Sequence, residues 1–219
     1  SSRATDQVAM LSATQLRALG TDTLELLSTD QIQAISVRTL KSLSTDFIQA
    51  LTTEQFTNLQ NIQLTNLTAA QLQAVETEDL VALSSTQLGN LKPSQIEQLT
   101  TTQVASITTD QLAGMNNAQL MKLTNNQVGA LGSDQVIAFS SDQIRALSAN
   151  QLNRLSTDAV AAIETDDLAA LTAAQVKGLG TAFIQALSTD QLGGLSSTQL
   201  GLLSNAQIAA LQSGDLAQL

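Results

Sequence analysis

The sequence lacks the residues that most enzyme and metal chemistry requires. Its 219 residues include no cysteine, histidine, tryptophan or tyrosine, and only four phenylalanines and one proline. Imidazole and thiol groups supply much of general acid–base catalysis, covalent nucleophiles and transition-metal ligands. Their joint absence excludes catalytic triads, thiol nucleophiles and imidazole metal sites, so we expect no enzymatic activity and no cofactor. Without cysteine the chain forms no disulfide, which leaves its redox compartment open.

The sequence is also poor in positive charge. Nine lysines and arginines stand against 19 aspartates and glutamates, which gives a net charge of −10 at pH 7. The basic residues are scattered, so they form no stripe along a phosphate backbone, and few aromatic rings are available to stack on bases. We therefore expect no nucleic-acid partner. No apolar run approaches the ~18 residues of a membrane span, so we expect no transmembrane segment.

An eight-residue period organises the chain. The unit STDQIQAI at residues 28–35 is followed by similar units, and the frame runs without insertion or deletion through residues 4–219 as 27 octads. Such self-similarity is typical of repeat architectures. The frame predicts a single array over residues 4–219, with residues 1–3 as a leader outside it. Because the last octad carries core leucines rather than a polar capping unit, we expect the array to be a fragment of a longer one.

Each position of the octad, numbered 1 to 8, has its own character. Positions 5 and 8 are apolar in every octad, position 1 is serine or threonine in 17 of the 27, and position 4 is glutamine in 19. Position 7 is most often alanine, and position 6 varies freely, as expected of a solvent-facing position. A hydroxyl followed three residues later by glutamine forms a capping box at a helix N-terminus. The octad therefore predicts one short helix that begins after position 1.

The capping box assigns roles to particular residues. Aspartate is common at position 3, where a carboxylate in the first turn favours the helix dipole. The single proline, Pro93, falls at position 2, which is the first helical position and one that tolerates proline. The predicted pairs of capping residues are Ser28 with Gln31, Thr108 with Gln111, Ser140 with Gln143, and Ser188 with Gln191.

Other folds fit the period less well. In a continuous helix of about 3.6 residues per turn, an eight-residue shift rotates the pattern by about 80°, so positions 5 and 8 would form no stripe. A coiled coil needs a period of about 3.5 or 3.67 residues, and a β-solenoid would separate position 8 from positions 5 and 7. We therefore predict an all-α solenoid, a superhelix of short capped helices with one helix per eight-residue repeat. The predicted inward-facing core residues are Leu16, Leu19, Ile32, Ile35, Leu112, Met115, Ile144, Leu147, Leu192 and Leu195.

The winding of this superhelix stays open at the level of sequence. No clear sixteen-residue alternation is present, so the pattern is compatible with layers of two helices and with a more open spiral. Alanine at position 7 allows neighbouring segments to approach closely in either arrangement.

Three features could carry further chemistry. Acidic clusters at residues 76–79 and 164–167 could hold a cation, but first-turn carboxylates favour the helix dipole and neither cluster follows the EF-hand pattern. Threonines around residues 100–109 could form an ice-binding face, although serial helix caps account for position 1. Phe47 and Phe183 replace glutamine at position 4, and we interpret them as filling a partly buried space rather than anchoring a partner.

Units such as LSTDQIQAI, at residues 27–35, resemble the octapeptide arrays of very large bacterial secreted or surface proteins, often described as adhesin-like. This resemblance covers nearly the whole chain. It implies an extended segment at the cell surface or outside the cell, and it assigns no catalytic or ligand-binding residue.

Our leading functional hypothesis is a non-enzymatic structural repeat scaffold, which serves as a spacer or stalk of a large bacterial surface or secreted protein. The alternative is a solenoid that binds a protein or glycan, and an ice-binding threonine-rich surface is a minor alternative. The ends of the array could also associate end to end with other copies.

Overall fold

The computed structural model describes residues 2–211, and within them every regular element is a helix of four to eight residues and none is a strand. Two to four residues separate successive helices, and each of the first 26 octads contributes one helix. The predicted all-α solenoid of one short helix per repeat is confirmed. The helices are α1 Ser2–Ala9, α2 Ala13–Ala18, α3 Thr21–Leu24, α4 Thr29–Gln33, α5 Val37–Lys41, α6 Thr45–Gln49, α7 Thr53–Thr57, α8 Asn61–Leu64, α9 Ala69–Ala74, α10 Thr77–Ala82, α11 Ser85–Gly89, α12 Pro93–Ile96, α13 Thr101–Ser106, α14 Thr109–Ala113, α15 Asn117–Leu120, α16 Asn125–Gly129, α17 Ser133–Ile137, α18 Ser141–Ala146, α19 Ala149–Leu152, α20 Thr157–Ala161, α21 Thr165–Ala169, α22 Ala173–Gly178, α23 Thr181–Ala186, α24 Thr189–Gly193, α25 Ser197–Leu200 and α26 Asn205–Ala210.

The octad at residues 28–35 shows why each helix begins and ends where it does. Ser28 has an extended backbone, and its Oγ accepts a hydrogen bond from the Gln31 backbone N–H at 3.3 Å. The Gln31 Oε1 accepts in turn from the Ser28 backbone N–H at 2.9 Å. These bonds satisfy N–H groups that have no partner inside the helix. The helix ends because Ser36, at position 1 of the next octad, is again extended and starts the next cap.

Two octads near the N-terminus depart from this pattern. Helix α1 begins at Ser2, before the octad frame, so Ser2 and Arg3 belong to it. Ala4, at position 1 of the first octad, has no side-chain oxygen to cap a later start. The third octad begins with Gly20, whose φ of 77° is the only positive value in residues 2–211. Any other residue would be strained there, which accounts for glycine at this position.

The helices form two compact units that divide between Ser106 and Ile107. Unit 1 contains α1 to α13 and unit 2 contains α14 to α26. The octad frame continues across this boundary in the sequence, and a single array over residues 4–219 stays a prediction. The last octad, residues 212–219, lies outside the described residues.

Within each unit, helices pack on the helix three positions further along the chain, as α1 does on α4, α6 on α9 and α20 on α23. Hydrogen bonds between side chain and backbone join residues that are 28 positions apart, for example Gln71 with Leu43. Hydrogen bonds between coils span 25 to 31 residues, which is between three and four octads, so each unit winds through about three and a half octads per turn. The winding that the sequence left open is therefore a spiral with more than two helices per coil.

Positions 5 and 8 form the core of both units. In the interior octads both positions are buried, and Leu112 at position 5 has no exposed surface. The spacing of three residues places the two side chains on one face of the short helix. Each buried aliphatic side chain contributes about 1.5–3 kcal/mol, and that burial requires the neighbouring coils. The octads are therefore stable only when they stack, as in other repeat proteins.

Leu19 is a correction to the predicted core, because it is 38% exposed. It lies at position 8 of the second octad, and Leu11 and Leu27, at position 8 of the first and third octads, are only half-buried. Among the described residues no earlier coil lies beside these octads.

At the other end the pattern changes, since Ile208 at position 5 is 40% exposed while Leu211 at position 8 is buried. Leu203, at position 8 of the octad before, is half-buried, so burial at this end does not follow one position alone. The exposure of Leu19 and of its position-8 neighbours indicates that position 8 needs a preceding coil for its cover.

The substitution Leu112→Asp tests the inward orientation of position 5. We expect loss of helical structure in unit 2 and a cost of about 4 kcal/mol or more, because an unpaired carboxylate replaces a fully buried side chain. Ile208→Asp is the matched control at the same position of the octad in the same unit, where the side chain is partly exposed. Circular dichroism during urea unfolding measures both variants, and equal midpoints for Leu112→Asp and the unsubstituted protein would refute the assignment.

Candidate functional site

Position 4 is where the polar chemistry of the interior is concentrated. Every buried polar or charged side chain in residues 2–211 lies at this position, and all but two of them are glutamines. Burying a primary amide is costly unless its donors and acceptor are hydrogen-bonded. Within the described residues no buried side-chain nitrogen or oxygen lacks a hydrogen-bond partner. The amides must therefore have partners built into the fold.

Gln55 shows how these partners are arranged. Its Oε1 accepts from the Thr52 backbone N–H at 3.0 Å, which completes the cap of its own helix. Its Nε2 donates to the carbonyl oxygens of Leu24 at 2.8 Å and Leu27 at 2.7 Å. Leu24 and Leu27 are 31 and 28 residues earlier, at positions 5 and 8 of the octad four before. One side chain therefore joins the N-terminus of its own helix to the end of a helix one coil earlier.

The same pair of donations recurs along both units, and we call the set the glutamine ladder. The position-5 carbonyl already accepts from the position-8 backbone N–H of its own octad, as Leu24 does from Leu27 at 3.0 Å, so the rung gives this carbonyl a second donor. The rung also reaches the position-8 carbonyl, which lies beyond the end of the short helix. Gln87 departs from the pattern and donates to the Thr57 carbonyl at 2.6 Å. The ladder includes Gln55, Gln63, Gln71, Gln95 and Gln103 in unit 1 and Gln143, Gln151, Gln175, Gln191, Gln199 and Gln207 in unit 2. Gln135 also belongs to it, since its Nε2 donates to the Ile107 carbonyl at 2.7 Å.

A second, weaker set of contacts lies at the surface. Position 6 faces solvent, as the sequence predicted, but some of its amides reach the next coil. The Gln33 Nε2 donates to the Asn58 carbonyl at 2.6 Å, and the Gln73 Nε2 donates to the Gln98 carbonyl at 3.1 Å. In both pairs the acceptor lies 25 residues later, at position 7. The coils are thus joined from inside by position 4 and, at intervals, from outside by position 6.

Some octads have no glutamine at position 4, and apolar replacements fill the same space. Phe47 and Phe183 are buried, as is the small side chain of Ala159. The two phenylalanines therefore line the interior rather than present an anchor at the surface. The two phenylalanines form neither the capping box nor the rung to the earlier coil, and they contribute apolar burial instead.

The octads around Asp167 and Phe183 recruit partners from an earlier coil. Asp167 is buried at position 4, and it accepts a hydrogen bond from the Ser141 Oγ at 2.6 Å. In the octad of Phe183, the first residue is Gly180, and its backbone N–H donates to the Asn153 Oδ1 at 2.7 Å. Asn153 thus replaces the missing capping contact of the Phe183 octad, while Ser141 provides a hydrogen bond to the buried Asp167 carboxylate.

The structure places the predicted capping pairs as follows. Ser140 and Gln143 form reciprocal bonds of 2.9 and 3.3 Å, and Thr108 with Gln111 and Ser188 with Gln191 form the same two bonds. Gln31 caps its helix with Ser28 but is only half-buried. The predicted core residues other than Leu19 are buried, namely Leu16, Ile32, Ile35, Leu112, Met115, Ile144, Leu147, Leu192 and Leu195.

The acidic clusters lie at helix starts. Glu76 and Glu164 are N-cap residues, and the carboxylates that follow them lie in the first turn of α10 and α21. Residues 2–211 contain no group of three or more acidic, histidine or cysteine side chains that could hold a metal ion. Beside the first cluster, unit 1 has an open cleft of about 420 Å³ lined by Gln49, Gln73, Glu76, Glu78 and Thr102, among others. This surface between coils is shallow and polar.

These features define a class of protein. The octad, with its helix cap, its two core positions and its ladder glutamine, recurs to build an all-α solenoid. Every octad performs the same structural task, so the chain is a repeat scaffold. The ALTTAQ repeat family matches residues 4–37, 72–109, 104–141 and 160–197, which together make up more than half of the chain. The chain belongs to the ALTTAQ repeat family. No curated protein matches its sequence.

Within residues 2–211, no helix has both the length and the apolar character that crossing a bilayer requires. The ALTTAQ family model matches the repeat itself, so the match describes the architecture of the chain.

Gln71→Glu isolates the coil-to-coil donation from the capping function. Glutamate keeps an oxygen to accept from the Thr68 N–H, but it cannot donate to the carbonyls of Leu40 and Leu43 and brings a charge into the interior. We expect a loss of about 2–4 kcal/mol in the stability of unit 1. The measurement is the midpoint of urea unfolding followed by circular dichroism.

Gln31→Glu is the matched control, because Gln31 makes the same cap in the same unit but has no rung to an earlier coil among the described residues. Its expected effect is within about 0.5 kcal/mol. The reciprocal change Asp79→Gln should stabilise unit 1, since it replaces a buried carboxylate by a donor at position 4. Equal losses for Gln71→Glu and Gln31→Glu would contradict the ladder.

Proposed function

We propose that this chain is a non-enzymatic structural scaffold that acts as a spacer or stalk within a large bacterial surface or secreted protein. The observation that carries the proposal is the glutamine ladder. The side chains that the octad repeats are used to cap helices, to fill the core and to bind each coil to the next. What the repeat supplies is therefore a stable length of chain.

The ladder makes octads interchangeable, which supports a spacer. A full rung joins position 4 to positions 5 and 8 of the octad four before, wherever it lies in a unit. Adding or removing whole octads leaves this relation unchanged for all the others. Length can then vary in steps of eight residues without a new core or a new set of hydrogen bonds.

The direction of the rungs supports a role in which the chain withstands tension. Every rung runs from one coil to the preceding coil, so pulling the coils of a unit apart must break the rungs between them. Each hydrogen bond contributes only about 1 kcal/mol net, but several rungs join each pair of neighbouring coils in parallel, so they must break together with the apolar contacts between those coils. Such a unit would yield coil by coil rather than all at once.

The location of the proposed stalk rests on the resemblance to octapeptide arrays of large bacterial secreted and surface proteins. A net charge of −10 with scattered basic residues also suits a solvated segment outside the cell, since like charges keep neighbouring chains apart.

A duplication of residues 132–187 tests the spacer function. These seven octads are two turns of three and a half octads each, so the insertion should continue the pattern of unit 2. We expect unchanged helicity per residue and a larger maximum dimension in small-angle X-ray scattering, with the same increment again for a second duplication. The control is a duplication shortened by four residues, which breaks the octad frame and should lose helicity. An unchanged maximum dimension would argue against a spacer.

Surface labelling tests the location. An antibody against residues 4–211 should bind intact cells of the organism that carries the gene, or material in its culture medium. Staining that appears only after the cells are permeabilised would contradict the surface or secreted assignment. An antibody against a cytoplasmic protein provides the control for cell integrity.

A further inference from the structure

The two octads with phenylalanine at position 4 each adjoin a cavity between coils. In unit 1 the cavity has a volume of about 290 Å³ and lies between α2 and α3 of one coil and α6 of the next. In unit 2 the equivalent space beside Phe183 has only about 60 Å³. We call the larger space the Phe47 cavity. Its floor includes Leu16, Leu24 and Phe47, and its rim includes Arg17, Ser44 and Asp46.

The contact between two successive coils is enough to form such a cavity. The space beside Phe183 is lined by side chains from residues 153–160 and 182–186, which belong to two neighbouring coils. Helix α20 also packs on α17 of the coil before, yet that earlier coil contributes no lining residue. The Phe47 cavity has the same two walls, and both lie among the described residues of unit 1.

The fold normally places a carboxamide oxygen at the start of each helix. In the ladder this oxygen belongs to the position-4 glutamine, as in Gln55. Phe183 has no amide, and in its octad the carboxamide of Asn153 replaces it. The Asn153 Oδ1 accepts from the Gly180 N–H at 2.7 Å, and its Nδ2 donates to the Gly178 carbonyl at 2.9 Å. A carboxamide therefore occupies this place even where position 4 is a phenylalanine.

In unit 1 a guanidinium lies where unit 2 has this carboxamide. Arg17 has the octad position of Asn153, and its Nη2 donates to the Ser42 carbonyl. That carbonyl is the equivalent of the one of Gly178 in unit 2. A guanidinium has no acceptor atom, so it cannot bind the N–H of Ser44. Among the described residues this N–H has no hydrogen-bond partner, and Ser44 lines the cavity.

The rim also supplies the acceptor that the N–H groups of an amide require. Asp46 lines the Phe47 cavity together with Ser44, whereas unit 2 has Ala182 at the equivalent position. A carboxylate only accepts hydrogen bonds, so a donor and an acceptor line the same space. Because Arg17 and Asp46 carry opposite charges, the rim favours a neutral ligand over a charged one. The buried apolar floor fits an apolar body.

We infer that the Phe47 cavity binds a small neutral molecule that carries a carboxamide on an apolar body. The ligand oxygen accepts from the Ser44 N–H, its N–H groups donate to the Asp46 carboxylate, and its apolar part packs on Phe47. The volume of about 290 Å³ is at the lower end for ligand pockets, so only a small molecule fits. This inference does not depend on the spacer function, since a spacer can bind a ligand at one of its coils.

Titration with benzamide, followed by heteronuclear NMR of the isotope-labelled protein, tests the cavity. We expect saturable shifts of the Ser44 backbone amide resonance. The Gly180 amide should stay unchanged, because Asn153 already binds it. Benzoate has a similar shape but carries a charge and no N–H donor. It should bind about fivefold or more weakly, since its carboxylate would face the carboxylate of Asp46.

Two variants close the cavity in different ways. Arg17→Asn provides the carboxamide that Asn153 provides in unit 2, and Phe47→Gln provides the capping glutamine of the ladder. Both should abolish the saturable shift of the Ser44 amide and should retain helicity in circular dichroism. Phe183→Gln makes the same change in unit 2, so it is the matched control and should leave benzamide binding unchanged.

A Ser44 amide that does not respond to benzamide in the unsubstituted protein would overturn the inference. So would unchanged benzamide affinity in either cavity variant, benzoate binding as tight as that of benzamide, or loss of benzamide binding in the Phe183→Gln control.

Discussion

The amide of the position-4 glutamine is the contact on which the rest of the structure depends. A helix of about five residues consists almost entirely of ends, so most of its N–H and C=O groups lack an intrahelical partner. The oxygen of Gln71 meets the start of its own helix, and its nitrogen meets Leu40 and Leu43 at the end of a helix one coil earlier. Each amide thus forms hydrogen bonds with the ends of two helices at once. These bonds help so short a repeat to fold when the octads stack.

The octads without this glutamine show how firmly the constraint applies. The interior position is filled by a phenylalanine at residue 183, and the N–H that a capping glutamine would have bound finds Asn153 instead. The buried Asp167 carboxylate accepts a hydrogen bond from Ser141, which lies within reach from an earlier coil. Sequence variation at position 4 is therefore compensated by contacts in space, and the regular winding is retained.

Much of the local structure could be predicted from residue types and their spacing. The capping pairs, such as Ser140 with Gln143, depend on residues three apart, and helices follow wherever such pairs recur. The second role of Gln143, its donation to Leu112 and Met115, could not be predicted in this way, because it requires knowing which coil lies beside it. Leu19 fails for the same reason: its residue type and position match the buried leucines, but its cover comes from another coil.

The sequence by itself determined the repeat, its length of eight residues, the start of each helix and the face that turns inward, because these depend on contacts within one octad. Only the tertiary structure decided the winding of about three and a half octads per turn, since that number is set by how coils pack on one another. It also decided that position 4 lies inside, where an amide with two donors can bind two carbonyls that lie 28 and 31 residues away in the chain. The pattern within one octad contains no information about contacts between residues that are so far apart in the sequence.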